Sequence, residues 1–258
     1  MVELARWLAE EKPPLALDLG LLFFPREELP AEESALPALF AAPSAIHEAD
    51  LVVVLEPTDN SIQAGCLGNL NAGLTWRGRS AHSARPWLGE NAIERAVLGL
   101  AAVLPIAERV VEIDGLRFVE VASATAIAGG IAPNVIPAEA SCLVNFRYAP
   151  DRSPQEAEAW ARELAGAVGA ELALAGNSPA APVLVDAPLV QRLRRAGSFE
   201  VEAKQAWTPV AEFAAAGLDA VNLGPGATRY AHTRDEQVPI RELERTFEAF
   251  ARFFAGDE

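Results

Sequence analysis

Cysteine is nearly absent from this chain. Its two cysteines, Cys66 and Cys142, form no Cys-x-x-Cys pair. A disulfide framework is therefore excluded, a reducing cytosol suits the protein, and both residues read as small buried thiols. Positive charge is also scarce: 21 Lys and Arg face 36 Asp and Glu, a net charge of −15. That balance argues against a nucleic-acid partner and against an anionic membrane surface. No apolar run approaches the roughly 20 residues of a membrane span, and the N-terminus does not read as a signal peptide, so a cytoplasmic protein is expected. Disorder is excluded too, because 51% of the residues are hydrophobic. At 258 residues the chain can bury a sizeable core as one large or two modest domains.

Three short apolar runs read as buried strands: Leu15 to Phe24, Asp50 to Leu55, and Asp219 to Leu223. Near-continuous apolar strands separated by helical stretches point to an α/β sheet covered on both faces. Met1 to Glu11 reads as an amphipathic helix with Val2, Leu4, Ala5, Leu8 and Ala9 on one face. The closing helix places Leu243, Phe247, Phe250, Ala251 and Phe254 together. The middle of the chain runs differently. Strand 69–76, helix 92–104 (Ile93, Val97, Leu100, Ala101 and Leu104 inward), strands 118–127 and 139–147, helix 154–168 and a short strand 171–174 follow the split βαβ, ferredoxin-like plan. The expected architecture is an α/β catalytic domain, residues 1–67 and 178–258, with an inserted α+β ferredoxin-like lid or dimerisation domain, residues 68–177.

Each of the three apolar runs ends in polar groups. Arg26-Glu27-Glu28 follows the first, Glu56-Pro57-Thr58-Asp59 the second, and Gly224-Pro225-Gly226, then His232, the third. In open α/β sheets ligands bind beyond the carboxyl ends of the strands. Carboxylate oxygen and imidazole nitrogen are the usual ligands of catalytic zinc. Taken singly, a Glu-Glu pair is more often a solvated face and a lone histidine more often structural. The conjunction at three strand ends is what points to a metal site. The stretch 78–89, with His82 and two arginines, reads as a binding loop or an ordinary turn. Asn134 between prolines, and Arg147 at a strand end, suit polar or carboxylate contacts, or are merely structural.

These motifs resemble the aminoacylase/carboxypeptidase family of di-zinc metallopeptidases, most closely the actinobacterial-type succinyl-diaminopimelate desuccinylases. The matching words run in order along the chain: Phe-Phe-Pro-Arg-Glu-Glu (23–28), Glu-Pro-Thr-Asp (56–59), Gly-Cys-Leu-Gly (65–68), Gly-Arg-Ser-Ala-His-Ser-Ala-Arg-Pro-Trp-Leu-Gly-Glu-Asn-Ala-Ile (78–93), Gly-Gly-Ile-Ala-Pro-Asn-Val-Ile-Pro (129–137), Asn-Phe-Arg-Tyr-Ala-Pro-Asp-Arg (145–152), Asn-Leu-Gly-Pro-Gly (222–226) and Ala-His-Thr-Arg-Asp-Glu (231–236).

The resemblance implies zinc-dependent hydrolysis of the amide bond of a small N-acyl amino acid. It implies Glu27 as general base, Glu28 and His232 as ligands of one zinc and Glu56 of the other. Two zinc ions per subunit are implied, with cobalt as a substitute. His82 would stabilise the oxyanion across a homodimer formed through the lid. Asn134, Arg147, Thr208, Gly224 and Gly226 would contact substrate. It also implies ligands that lie before Met1 in the family, a His-x-Asp pair and a bridging Asp. The chain as written then looks N-terminally truncated, with free strand edges that favour association. Two departures stand out: Pro209 where relatives carry Asp after Trp-Thr, and Glu212 where relatives often carry Arg before Phe.

Overall fold

The computed structural model describes residues 1–26, 33–103 and 109–257. Two sheets organise these residues, and the chain crosses between them twice. The first sheet has the order β1-β11-β2-β10, formed by Val52–Val54, Ala220–Asn222, Ile62–Ala64 and Val201–Ala203. β1 runs parallel to β11, β11 antiparallel to β2, and β2 parallel to β10, so the sheet is mixed.

Helices cover both of its faces. Strand alternation sends Ile62, Val221 and Leu223 toward α1 (Val2–Glu10), α5 (Pro188–Gly197) and α7 (Ile240–Ala255), where they meet Leu193, Phe250 and Phe253. Ala220 faces the other way, toward α2 (Leu36–Ala41) and α6 (Val210–Ala215), in a cluster with Leu36, Cys66 and Phe213.

The second sheet has the order β5-β6-β8-β3-β9: Arg109–Ile113, Leu116–Gly129, Glu139–Tyr148, Gly68–Arg77 and Glu171–Ser178. Every neighbouring pair is antiparallel. Helices α3 (Ala92–Ala101) and α4 (Pro154–Val168) lie on one face. The predicted strand–helix–strand–strand–helix–strand order is present as β3, α3, β6, β8, α4 and β9, with β5 added at the edge. Burial alternates strictly along β3 and β8. Leu70, Leu74, Trp76, Val144 and Phe146 point under the helices, each such side chain contributing about 1.5–3 kcal/mol by leaving water. α4 starts on a capping box, Ser153 with Glu156, and stops at Gly169 in the left-handed conformation. A two-stranded ribbon, β4 (Ala81–His82) with β7 (Val135–Ile136), stands beside this sheet.

The sheets meet through a small cluster of Leu67, Phe118 and Ala149 with Val183 and Ala203. Behind it lies a charged knot. Glu120 is buried and accepts from Arg109, Arg152 and the Ala149 N–H. Gln205, after β10, accepts from Val119 N–H of β6 at 3.3 Å.

Four expectations are corrected. Leu15 to Phe24 is not a strand. No described strand pairs with it, and Leu17, Leu19, Leu22 and Phe24 pack as loop side chains instead. On α1 only Leu4 is buried and Val2 is exposed, because the helix meets α7 through Trp7 against Phe247. α3 buries Ala92, Ala96 and Leu100 and exposes Ile93 and Val97: small residues let the helix approach β3 and β8 closely, which turns the larger side chains outward. On α7 Leu243 is exposed, while Thr246, Ala249 and Phe253 join Phe250 and Phe254 inside.

Candidate functional site

The parallel pair β1 and β11 delivers two loops to one end of the first sheet, and backbone bonds stitch them together. Thr58 N and Asn60 N both donate to Gly224 O, and Asp59 N donates to Gly226 O at 2.7 Å. The buried Thr58 hydroxyl accepts from Gly224 N and donates to Ser61 O. Thr228 Oγ1 donates to Pro57 O at 2.7 Å. The turn is anchored on α7, where Asn60 meets the Glu242 carboxylate and the Thr246 hydroxyl. Gly224 has no room for a side chain: a Cβ there would lie 2.4 Å from Glu56 O. Gly226 adopts φ +86°, a backbone conformation that favours glycine. Both glycines therefore shape the loop, whatever else they contact.

Glu56 leaves the end of β1 with its side chain 24% exposed, and its Oε2 lies 3.9 Å from Lys204 Nζ. Lys204 is itself buried, in the loop after β10. The sequence reading missed it, since a single lysine between a strand and a tryptophan carries no signal of its own. Farther along that loop, the buried Thr208 hydroxyl and the Trp207 indole N–H have no hydrogen-bond partner among the described residues. Thr208 O accepts from the Cys66 thiol. Burial pushes both thiols, Cys66 and Cys142, above their ordinary pKa, which leaves them protonated and inert. His232 sits in the turn beyond Thr228–Tyr230 at φ +58°, exposed.

Glu27 and Glu28 lie outside the described residues. Among the described residues no three His, Cys, Asp or Glu side chains gather closely enough to hold a metal ion. Glu56 and His232 supply a carboxylate and an imidazole on stitched loops. That is donor chemistry suited to zinc but not a complete set.

The second sheet carries the other candidates. His82 pairs with Val135 across the β4–β7 ribbon, and Ser83 N donates to Asn134 O at 2.9 Å. The structure therefore brings His82 and Asn134 together, both exposed. His82 Nδ1 accepts from Ala84 N–H at 3.1 Å, so the neutral ring carries its proton on Nε2, as a donor. Arg147 is half-buried on β8, and burial lowers its pKa. Its Nε donates to Asn145 Oδ1 at 2.8 Å.

Residues 67–172 match the family model described as a peptidase dimerisation domain. A Mycobacterium tuberculosis protein carrying the name succinyl-diaminopimelate desuccinylase DapE is 36% identical over 239 residues, which is 93% of this chain and 68% of that protein. This chain belongs to the succinyl-diaminopimelate desuccinylase family of M20 peptidases. A family relative from Corynebacterium glutamicum is 39% identical over 199 residues, covering 76% of this chain and 54% of its own length. The chain thus spans between half and about two thirds of these relatives. Two solved structures share the fold. Aminopeptidase PepT from Bacillus cereus has TM-score 0.69 at 18% identity, covering 97% of this chain and 67% of that one. The M20 family metallo-carboxypeptidase of Sulfolobus solfataricus has TM-score 0.68 at 15% identity, covering 85% and 66%.

Proposed function

We propose that this protein hydrolyses the amide bond of an N-acyl amino acid in a zinc-dependent reaction, with N-succinyl-LL-2,6-diaminopimelate as substrate and succinate and LL-diaminopimelate as products. The carrying observation is the stitched pair of loops that puts Glu56 and the segment leading to His232 at one sheet end, in a chain 36% identical to a named desuccinylase. The whole protein's activity, in the cytoplasm, is part of this proposal.

Glu28 and His232 would hold one zinc ion and Glu56 the other, cobalt serving as a substitute. When bound, such an ion supplies Lewis acidity that brings the pKa of a water near 7. Glu27 takes the proton from the attacking water and returns it to the leaving amine. His82, with its Nε2–H free to donate, meets the negative charge that develops on the carbonyl oxygen. Asn134 and Arg147 bind the substrate's carboxylate end. Thr208 offers a buried hydroxyl whose donor has no partner among the described residues, and Gly224 and Gly226 keep the loop low enough for substrate to approach.

The unit of function is a homodimer through the lid, residues 68–177, with residues 1–67 and 178–258 as the catalytic part. Among the described residues, β5 covers only the first part of β6, leaving Val121 to Gly129 with an open edge. Ile127, Ile93 and Val97 are exposed apolar side chains there and on α3. An open strand edge beside an apolar helix face suits a second copy of the chain.

A second reading, an acetylornithine deacetylase-like enzyme or peptidase of the same class, is favoured by Pro209, the residue before α6, and by Glu212 within it, where the family resemblance leads to an expected Asp and, often, Arg. A substrate panel separates the two readings. Zinc-loaded protein should release succinate from N-succinyl-LL-diaminopimelate faster than it cleaves N-acetylornithine or dipeptides. The opposite order moves the assignment to the second reading, and no turnover of any of them leaves a non-catalytic dimerising module.

A further inference from the structure

Lys204 is a buried cation that the catalytic proposal does not use. Of the 21 basic residues in the chain only Lys12 and Lys204 are lysines, and all the others are arginine. Lys204 is 4% exposed. Taking an ammonium out of water is costly, and an apolar side chain of similar volume would fill the same space without that cost. A charge kept at such a position points to a partner that needs it.

The backbone on either side of Lys204 is supported by the second sheet. Ala203 packs in the junction cluster with Leu67, Phe118 and Ala149. Gln205 accepts from Val119 N–H at 3.3 Å. From that support the lysine side chain reaches the Glu56 carboxylate, with Nζ 3.9 Å from Oε2. Lys204 follows β10 and Glu56 follows β1, and these two strands are the opposite edges of the first sheet. The two side chains therefore link loops that strand pairing does not bring together.

The kind of contact matters as much as its place. At 3.9 Å the ammonium attracts the carboxylate but is too far to hydrogen-bond it. The lone pairs of both carboxylate oxygens stay available. An arginine, the cation this chain uses almost everywhere else, would fork onto the carboxylate with two parallel bonds and occupy both oxygens. A lysine holds the group by charge alone.

We infer that Lys204 is a positioning residue for Glu56: it holds the carboxylate in place between the two sheets and leaves its oxygens free to take a metal ion. This deepens the proposal that Glu56 is a zinc ligand and rests on it. A carboxylate shared by an ammonium and a metal ion offsets their mutual repulsion, so the benefit of a ligand already held in position decides the sign. Groups that orient metal ligands from behind act in this way.

The test is zinc affinity, read by competition with a chelating dye, in the protein expressed from its whole reading frame. Lys204→Met should bind zinc about 10- to 100-fold more weakly, the usual loss when such an orienting group is removed. In a Glu56→Gln background the same substitution should change zinc affinity by less than about twofold, because the residue it acts through is already gone. Lys204→Gln guards against misfolding: it keeps a polar chain in the space and should give the same loss with unchanged circular dichroism. A role in folding alone would lower the melting temperature and leave the zinc affinity of the folded protein as it is. Unchanged or tighter zinc binding in both Lys204 variants, or an equal loss in both backgrounds, overturns the inference. Zinc binding that Glu56→Gln leaves untouched removes Glu56 from the metal site and the inference with it. A loss that requires Glu56, in a protein that hydrolyses no amide when zinc-loaded, supports the inference and sinks the hydrolase reading instead.

Discussion

Lys204 Nζ lies 3.9 Å from Glu56 Oε2, a buried ammonium beside a carboxylate at the end of a parallel strand. The pair ties the loop after β10 to the loop after β1. Because Gln205 of the same loop accepts from β6, the tie also reaches the second sheet. Neighbouring charges in one network should show non-additive energetics. Lys204→Met and Glu56→Gln, singly and together, are expected to show a coupling of about 0.5–3 kcal/mol in urea unfolding. Additive losses would mean that Lys204 is held by its other contacts and not by Glu56.

Gly224 is set by its neighbour's backbone. Gly224→Ala places a methyl group against Glu56 O and should cost about 1–3 kcal/mol by overpacking. It should also pry the two loops apart, so zinc affinity is expected to fall along with stability. Calorimetric zinc titration of a variant that remains folded checks this. Unchanged affinity would separate the glycine's role from the site.

Much of this arrangement was legible in the residues. The alternation of Asn69 to Trp76 and Glu139 to Arg147, and the period of residues 154–168, placed the ferredoxin-like sheet because one covered face imposes period two on its strands. The stretch Leu15 to Phe24 misled, since an apolar run becomes a strand only beside a strand to pair with. Lys204 was invisible because nothing in a local pattern says that a lysine will be buried against a carboxylate some 150 positions earlier in the chain.

Acid should loosen the junction between the sheets. Burial by itself raises the Glu120 pKa, but hydrogen bonds from Arg109, Arg152 and Ala149 N–H outweigh it and bring the value down to about 2, against an ordinary 4.5. A depressed folded-state pKa gives stability that is complete above the unfolded value and lost as pH falls toward the folded one. Unfolding free energy should therefore decline between about pH 4.5 and 2, and Glu120→Gln should flatten that decline while lowering stability at pH 7 by roughly 1–3 kcal/mol, because Arg152 loses its carboxylate partner and Arg109 keeps only Asp151. A parallel pH profile in both proteins would remove Glu120 from the account.

The dimer proposal depends on the open edge of β6 and the apolar face of α3. Ile127→Lys with Val97→Glu puts charge on both exposed surfaces and should give a folded monomer by light scattering, whereas the parent chain should run as a dimer. A double variant that remains dimeric would place the interface elsewhere.

The central claim is metal-dependent amide hydrolysis, and it is tested most directly by succinate release from N-succinyl-LL-diaminopimelate as zinc is titrated into metal-free protein expressed from its whole reading frame. The account predicts no release in EDTA, release that rises and saturates with zinc, and a fall of about 10²–10⁴ in kcat for Glu27→Gln at unchanged zinc content. Release that is equal with and without zinc, or a zinc-saturated protein that cleaves neither this substrate nor any other N-acyl amino acid, would contradict it.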